Sequence, residues 1–208
     1  MNVLPLITVG VLADTHVPDR APSIPPGLLE GFRAAGVGRI LHAGDICSQR
    51  VLSELAEIAP VSAVGGNRDF TILPALPERF EEEIAGVWVG MVHGHGGWSG
   101  YWQDKFSYLF EGYRLERYIQ KIGAACPRAK VILFGHTHHP ENVLRDGRLF
   151  FNPGPCVGFK LGPYDYSPSY GLLRFFPGGQ VEGEIVPLTG LRLRGGAWMR
   201  AEPGQGVG

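Results

Sequence analysis

The sequence of 208 residues predicts an α/β protein built around one main domain. Short apolar segments alternate with helical segments along the first part of the chain, and later apolar segments pair around turn sequences. Apolar residues make up 44% of the chain and charged residues 19%, which is the composition of a globular protein and excludes general disorder.

Strands and helices alternate in the first part of the chain. Leu6–Ala13 is almost entirely apolar, as expected for a strand that is buried on both faces. Pro25 and Pro26 precede a predicted helix at Gly27–Ala35, because proline suits the first helical turn. The next predicted elements are a strand at Gly38–Ala43, a helix at Ser48–Ile58 capped by Ser48, and a strand at Val61–Val64.

Antiparallel pairs dominate the rest of the chain. Asp146-Gly147 is a hairpin signal, because both turn positions favour positive φ. The predicted elements are strands at Phe80–Ile84 and Val87–Val92 around Ala85-Gly86, a long helix at Gln103–Ile122, a strand at Val131–Phe134, hairpin strands at Asn142–Arg145 and Arg148–Phe151, and a last pair at Tyr170–Phe176 and Val181–Val186. The domain is predicted to span residues 1–188, and the Gly- and Arg-rich residues 189–208 are predicted to form a loosely ordered tail.

Charge and cysteine content restrict the location and the partners. The net charge of −1 argues against binding to extended nucleic acid or to an anionic membrane. The three cysteines are odd in number and lack metal-type spacing, so we expect reduced thiols in a cytoplasmic protein. The apolar start Val3–Ala13 lacks the basic region of a signal peptide, and no apolar run is long enough to cross a bilayer.

Polar clusters follow the predicted buried strands. Because strand ends converge on one crevice in open α/β sheets, we expect these clusters to meet. In Asp14/His16 and His136/His138 the partners are two residues apart, so an extended backbone would turn both to the same side. The clusters are Asp14-Thr15-His16, His42-Ala43-Gly44-Asp45, Asn67-Arg68-Asp69, His93-Gly94-His95 and His136-Thr137-His138-His139.

These clusters have the composition of a metal site. Carboxylate and amide oxygens together with imidazole nitrogens suit Mn, Fe, Co, Ni or Zn better than Ca. The donors outnumber what a single tetrahedral zinc needs, and two ions sharing a carboxylate would account for the surplus. A lone histidine at a strand end is usually structural, but all seven histidines of this chain fall within four of the clusters. The metal interpretation is therefore preferred.

The motifs resemble those of the calcineurin-like metallophosphoesterase superfamily in kind and in order. The matching residues are Asp14-Thr15-His16, Gly44-Asp45, Gly66-Asn67, His93-Gly94 and Gly135-His136-Thr137-His138. The resemblance spans about Leu6 to Val186. It is strongest to the small bacterial and archaeal phosphodiesterase branch, to which the metallophosphoesterase-like retromer subunit of eukaryotes is also similar.

The resemblance implies a fold, a metal centre and a reaction. The fold would be a four-layer αββα sandwich with two facing mixed β-sheets. A hydroxide bridging two divalent transition-metal ions, with Mn as the first choice, would attack phosphorus. One ion would be held by Asp14, His16, Asp45 and His138, and the other by Asp45, Asn67, His93 and His136, with Asp45 bridging.

One position departs from the pattern of many superfamily members. Arg68 stands where they carry a histidine that protonates the leaving group. A guanidinium keeps its proton and cannot act as a general acid, although it can bind phosphate oxygens or simply pair with an acid. His95 and His42 are then the candidate proton donors. Asp69 is predicted to support the ligands, and His139 to lie at the rim.

Several readings of substrate and partners stay open. A small phosphodiester, with a nucleotide diester as one candidate, is the favoured substrate. The alternatives are a phosphomonoesterase of the same fold and a metal-site protein that acts as a binding scaffold. The aromatic-rich segment Trp98–Tyr118 could be core packing, a subunit contact in a homo-oligomer, or an active-site lid that stacks on a base.

Overall fold

Two five-stranded β-sheets form the centre of the protein. The computed structural model describes residues 3–96, 112–161, 164–194 and 197–200. Within these residues the helices are α1 (Pro26–Ala34), α2 (Gln49–Ala56) and α3 (Leu115–Ala125). The strands are β1 (Ile7–Leu12), β2 (Arg39–His42), β3 (Val61–Ala63), β4 (Arg79–Ile84), β5 (Val87–Val92), β6 (Val131–Leu133), β7 (Glu141–Arg145), β8 (Arg148–Asn152), β9 (Phe159–Leu161), β10 (Tyr164–Tyr166), β11 (Ser169–Phe175), β12 (Val181–Pro187), β13 (Leu191–Arg194) and β14 (Ala197–Arg200).

Both large sheets are mixed. The first has the order β12-β11-β1-β2-β3, with β1, β2 and β3 parallel and with β11 antiparallel to its neighbours. The second has the order β4-β5-β6-β8-β7, with β5, β6 and β8 parallel and the outer strands antiparallel. The carboxyl ends of β1, β2 and β3 therefore lie at one edge, and those of β5 and β6 lie together in the facing sheet.

The two sheets pack face to face, and helices cover their outer sides. Apolar side chains of both sheets form one buried cluster, which includes Val9, Val11, Leu41, Val89, Met91, Leu133, Phe151 and Phe175. Leu28 of α1 and Val51 of α2 belong to a second cluster on the outer side of the first sheet. Ile122 of α3 belongs to a third cluster, with Ile132 and Phe150 of the second sheet. The predicted four-layer αββα sandwich with two facing mixed sheets is confirmed.

Glycines in the strands allow the helices to pack closely on the sheets. A Cβ at Gly10 of β1 would lie 2.6 Å from the ring of Phe32, which is fully buried in α1. Gly90 of β5 meets Cys126 and Ala129 in the same way beneath α3. Burying a phenylalanine ring contributes about 1.5–3 kcal/mol, so replacing Gly10 would disturb a contact that anchors α1.

The prediction of one helix over Gln103–Ile122 is wrong at residues 112–114. Gly112 has a φ of 71° and Arg114 is extended, so α3 begins only at Leu115, and it continues to Ala125. A glycine at positive φ cannot continue a right-handed helix, and apolar periodicity does not register such a break. Of the segment Trp98–Tyr118, residues 98–111 lie outside the described residues.

Two short hairpins were not anticipated from the sequence. Strands β9 and β10 form one, and β13 and β14 form the other within the segment predicted as a tail. Trp198 of β14 donates a hydrogen bond from Nε1 to the Ser23 carbonyl at 3.0 Å and packs against the cluster around α1. The three cysteines are buried and unpaired. No helix among the described residues is long and apolar enough to cross a membrane.

Candidate metal centre

The polar clusters that follow β1, β2, β3, β5 and β6 meet between the two sheets. Their backbone is not extended as expected, because Asp14, His16, Asp45, His136 and His138 all have positive φ, between 49° and 67°. Such conformations cost of order 1–3 kcal/mol each for residues other than glycine. Hydrogen bonds between the loops after β1 and β2 hold Asp14 and His16, with Asp14 N donating to Gly44 O at 2.9 Å and His16 N donating to Asp45 O at 3.0 Å. Strained turns, rather than an alternating strand, aim these side chains at a common point.

One group of donors is formed by Asp14, His16 and His138. Their ligand atoms lie within 4.8 Å of one another. His138 Nε2 is 3.1 Å from Asp14 Oδ1, and His16 Nε2 is 3.4 Å from His138 Nε2. Asp14 is fully buried, and its carboxylate also accepts a hydrogen bond from the His136 backbone at 3.0 Å.

A second group gathers around His93. Asp14, Asp45 and His93 also have ligand atoms within 4.8 Å of one another. Asn67 Oδ1 lies 3.2 Å from His93 Nε2 and 3.2 Å from His136 Nδ1. The Ala43 carbonyl accepts a hydrogen bond from His93 Nδ1 at 2.8 Å, which leaves Nε2 as the nitrogen that faces the carboxylates.

Asp45 lies between the two groups. Its Oδ2 is 3.7 Å from His16 Nε2, and its Oδ1 is 3.4 Å from His93 Nε2. The structure therefore brings together all seven residues that the sequence analysis named as ligands. They are Asp14, His16, Asp45, Asn67, His93, His136 and His138.

The carboxylates and the burial shape the electrostatics of the site. Burial would raise the pKa of Asp14, but His138 and His93 outweigh it and lower that pKa to about 2. Burial alone would lower the pKa of His93, yet Asp45 and Asp14 raise it to about 9. Burial lowers the pKa of His16 to about 4 and that of His136 to about 3, so both rings are neutral near pH 7. Ionised carboxylates beside neutral imidazoles fit divalent transition metals, and His93 would release its proton when a metal binds.

Glycines next to the donors leave no room for a side chain. A Cβ at Gly135 would lie 2.8 Å from Asp14 Oδ2 and 2.9 Å from Ala13 Cβ. A Cβ at Gly66 would overlap with the carboxylate and the backbone nitrogen of Asp45. The Gly-Asn and Gly-His pairs therefore reflect the close approach of two loops to the buried carboxylates.

Asp69 binds backbone rather than the donor atoms. It is fully buried and accepts hydrogen bonds from Ile46 N at 3.0 Å, Cys47 N at 2.8 Å and Gly66 N at 2.8 Å. These amides belong to the loops that carry Asp45 and Asn67. The supporting role that the sequence analysis gave to Asp69 stays a prediction.

The two candidate proton donors, His42 and His95, differ in how accessible they are to a substrate. His42 is fully buried, its ring contacts Thr15 Oγ1, and its Nδ1 accepts a hydrogen bond from Gly44 N. Burial lowers the pKa of His42 to about 3. The His95 ring lies 5.5 Å from that of His93 at the edge of a cleft of about 610 Å³, and burial lowers its pKa to about 4. His42 is enclosed and cannot reach a substrate, whereas His95 lines a cleft that His93 also borders.

Arg68 lies at the rim with its side chain paired. Its guanidinium is 3.4 Å from the carboxylate of Asp19, and the two side chains are 54% and 38% exposed. Its backbone N–H, in contrast, donates to Asp45 Oδ1 at 2.8 Å. The pairing with an acid was one of the two readings that the sequence left open.

The sequence analysis missed several residues of the site. Cys47 Sγ is 3.8 Å from His16 Nδ1, and Asn152 Nδ2 donates to Thr137 Oγ1 at 3.1 Å within the His136–His138 loop. Arg20 and Phe159 lie beside the same donors. No spacing rule marks them: Asn152 ends β8, Cys47 and Arg20 lie in loops, and Phe159 belongs to an unpredicted hairpin.

Two aromatic residues of the segment Trp98–Tyr118, Tyr113 and Tyr118, belong to the described residues. Tyr113 stacks on His139, with ring centroids 4.1 Å apart, and Tyr118 is buried in α3. His139 is half-buried at the edge of the site, as a rim residue would be.

The chain is similar in sequence to proteins of one superfamily. The calcineurin-like phosphoesterase superfamily domain matches residues 7–173, so the chain belongs to this superfamily. A probable metallophosphoesterase of Methanothermobacter thermautotrophicus is 36% identical over 179 residues, which cover 86% of this chain and 91% of that protein. A phosphodiesterase of Methanocaldococcus jannaschii is 25% identical over 169 residues, covering 79% of this chain and 91% of that protein. These relatives support the conclusion that the chain is a metal-binding hydrolase.

Solved structures share the fold. Vps29 of Entamoeba histolytica, solved as a complex with Zn²⁺, aligns with a TM-score of 0.61 and 24% identity over 87% of this chain and 99% of that one. An archaeal phosphodiesterase aligns with a TM-score of 0.59 and 22% identity over 86% of this chain and 100% of that one. At these identities the likeness concerns the fold alone.

Proposed function

We propose that this chain is a dinuclear metal-dependent phosphodiesterase that hydrolyses a small diester, with Mn²⁺ as the first metal to test. The observation that carries the proposal is Asp45, whose two carboxylate oxygens face His16 on one side and His93 on the other. One ion would be held by Asp14, His16, Asp45 and His138, and the other by Asp45, Asn67, His93 and His136. When bound, two such ions lower the pKa of a water molecule and neutralise phosphate oxygens.

The residues around the donors favour substrates with good leaving groups. The Arg68 guanidinium keeps its proton and is paired with Asp19, so it can bind a phosphate oxygen but cannot protonate a leaving group. Among the described residues, His95 is the remaining candidate proton donor, and it lines the cleft beside His93. A general acid typically contributes about 10²–10⁴-fold to the rate, and an aryl leaving group needs it least. Aryl diesters should therefore be cleaved better than alkyl monoesters, and a nucleotide diester is the natural candidate to test.

Metal counting tests the centre independently of turnover. Elemental analysis of the Mn²⁺-loaded protein should give two ions per chain. Asp45→Asn should weaken both sites together and leave fewer than one, while His138→Ala should retain about one. His139→Ala is the matched control and should retain two, because His139 stacks on Tyr113 rather than facing the carboxylates. Two ions retained in the Asp45 variant would overturn the bridging assignment.

Kinetics separate the remaining alternatives. The kcat/KM of the Mn²⁺-loaded protein should be higher for a chromogenic aryl diester than for an alkyl monoester. Arg68→His should raise monoesterase activity relative to diesterase activity if the new ring reaches the leaving oxygen. A wild-type preference for alkyl monoesters would favour a phosphomonoesterase of the same fold. Two bound ions without any turnover would favour a binding scaffold, a reading motivated by the structural likeness to Vps29.

A further inference from the structure

Arg20 is a second arginine beside the metal centre, and its surroundings differ from those of Arg68. Its backbone N–H donates to the His16 carbonyl at 2.7 Å, which closes a turn directly after a ligand residue. Its side chain is half-buried, whereas that of Arg68 is largely exposed. The backbone of Arg20 is therefore held close to the candidate metal ligands.

An aromatic column fixes the other end of Arg20. The guanidinium carbon lies 3.7 Å from the centroid of the Phe159 ring, a cation–π distance. Phe159 stacks on Tyr166 with centroids 4.6 Å apart, and the His138 ring lies perpendicular to Phe159 with centroids 4.9 Å apart. Arg20 and Tyr166 cover the Phe159 ring, so this ring positions the guanidinium and does not offer a stacking face to a base.

The guanidinium is not saturated by the protein. Arg20 Nη1 is buried and makes no hydrogen bond to any of the described residues. A buried charged donor without a partner is costly, and such groups in folded proteins call for a ligand. Burial and the neighbouring Arg68 lower the pKa of Arg20, while Asp14 and Asp45 oppose that change, which places the group within the field of the carboxylates. An arginine keeps its positive charge in such a setting.

We propose that the guanidinium of Arg20 binds a non-bridging oxygen of the phosphoryl group at the metal centre, and that Phe159 and Tyr166 hold it in place. The inference rests on the proposed function, because it names the residue of that site which recognises the anion. A guanidinium offers two parallel donors to phosphate, which gives geometry as well as charge. Arg20 is then the anion-binding arginine, and Arg68 stays a rim residue paired with Asp19.

Calorimetric titration of the Mn²⁺-loaded protein with inorganic phosphate tests this without requiring turnover. Arg20→Gln should weaken phosphate binding by about 10–100-fold, as expected for the loss of a charge-assisted hydrogen bond. Arg20→Lys keeps the positive charge but loses the two parallel N–H donors. Its phosphate affinity should therefore lie between those of the wild type and Arg20→Gln. Arg50→Gln is the matched control, because Arg50 is exposed on α2 and paired with Glu54, and it should match wild type. Elemental analysis should find two ions in each variant.

The aromatic column has its own test. Phe159→Leu should weaken phosphate binding several-fold although Arg20 is intact, and Phe159→Tyr, which keeps the ring, should restore it. Phosphate affinity unchanged in Arg20→Gln, a larger loss in Arg68→Gln, or no phosphate binding by the wild type would each overturn the inference. Phosphate binding that depends on Arg20 in a protein without diesterase activity would instead reject the proposed function and leave this assignment standing.

Discussion

Replacing Asp69 should destabilise the protein more than replacing any exposed acid at the rim of the site. Its buried carboxylate accepts hydrogen bonds from Ile46, Cys47 and Gly66. Asp69→Ala would leave these buried N–H groups without their acceptor, and each such group costs about 1–3 kcal/mol. Because water can enter the space that is left, we expect a total loss of about 3–5 kcal/mol. Asp69→Asn keeps one acceptor oxygen and should cost roughly half as much.

Urea denaturation of the metal-free protein in chelator measures this loss directly. Asp19→Ala is the control, since Asp19 is an exposed acid whose ion pair with Arg68 contributes at most about 1 kcal/mol. The same loops carry Asp45 and Asn67, so Asp69→Asn should also reduce Mn²⁺ affinity by about 10–100-fold, the effect typical of groups that orient metal ligands. A loss of stability below about 1 kcal/mol for Asp69→Ala would refute the reasoning that Asp69 joins the two loops.

Two further predictions concern His42 and Gly66. Because burial lowers the folded-state pKa of His42 to about 3, protons bind the unfolded chain preferentially below its ordinary pKa of 6.5, and stability is lost as the pH falls. Between pH 7 and pH 5 the metal-free wild type should lose about 2 kcal/mol more than His42→Asn, measured by urea denaturation at each pH, and parallel curves for the two proteins would contradict this. Gly66→Ala should displace Asp45 and abolish binding of two ions, whereas Gly65→Ala should not, because its Cβ would meet Leu76 at an ordinary 3.6 Å. Elemental analysis of the two variants tests this difference. Equal metal content in both would show that the close approach of the Gly66 loop to Asp45 does not require a glycine.

The sequence by itself determined the α/β class, most of the strands and the seven candidate ligands that meet between the sheets. These features are local, because apolar runs end at defined residues and the polar clusters follow them directly. Asp146-Gly147 marks its hairpin through the conformational preference of the two turn residues, and the structure has that hairpin between β7 and β8. Parallel strands then bring their carboxyl ends together, so Asp14, Asp45 and Asn67 meet without further information.

The tertiary structure alone decided how the site is held and which side chains complete it. Asp69 was named from its place beside the motif, but its three backbone partners follow only from the approach of two loops. Gly112 interrupts a helical pattern that periodicity would continue, because its φ of 71° lies outside the right-handed helical region. Arg20 and Phe159 lie far apart in sequence and meet only because an unpredicted hairpin folds over the turn after His16. Contacts between distant segments leave no periodic signal in the sequence. Tertiary packing alone gives Arg20 and Arg68 different surroundings, although both are arginines near the same candidate metal ligands.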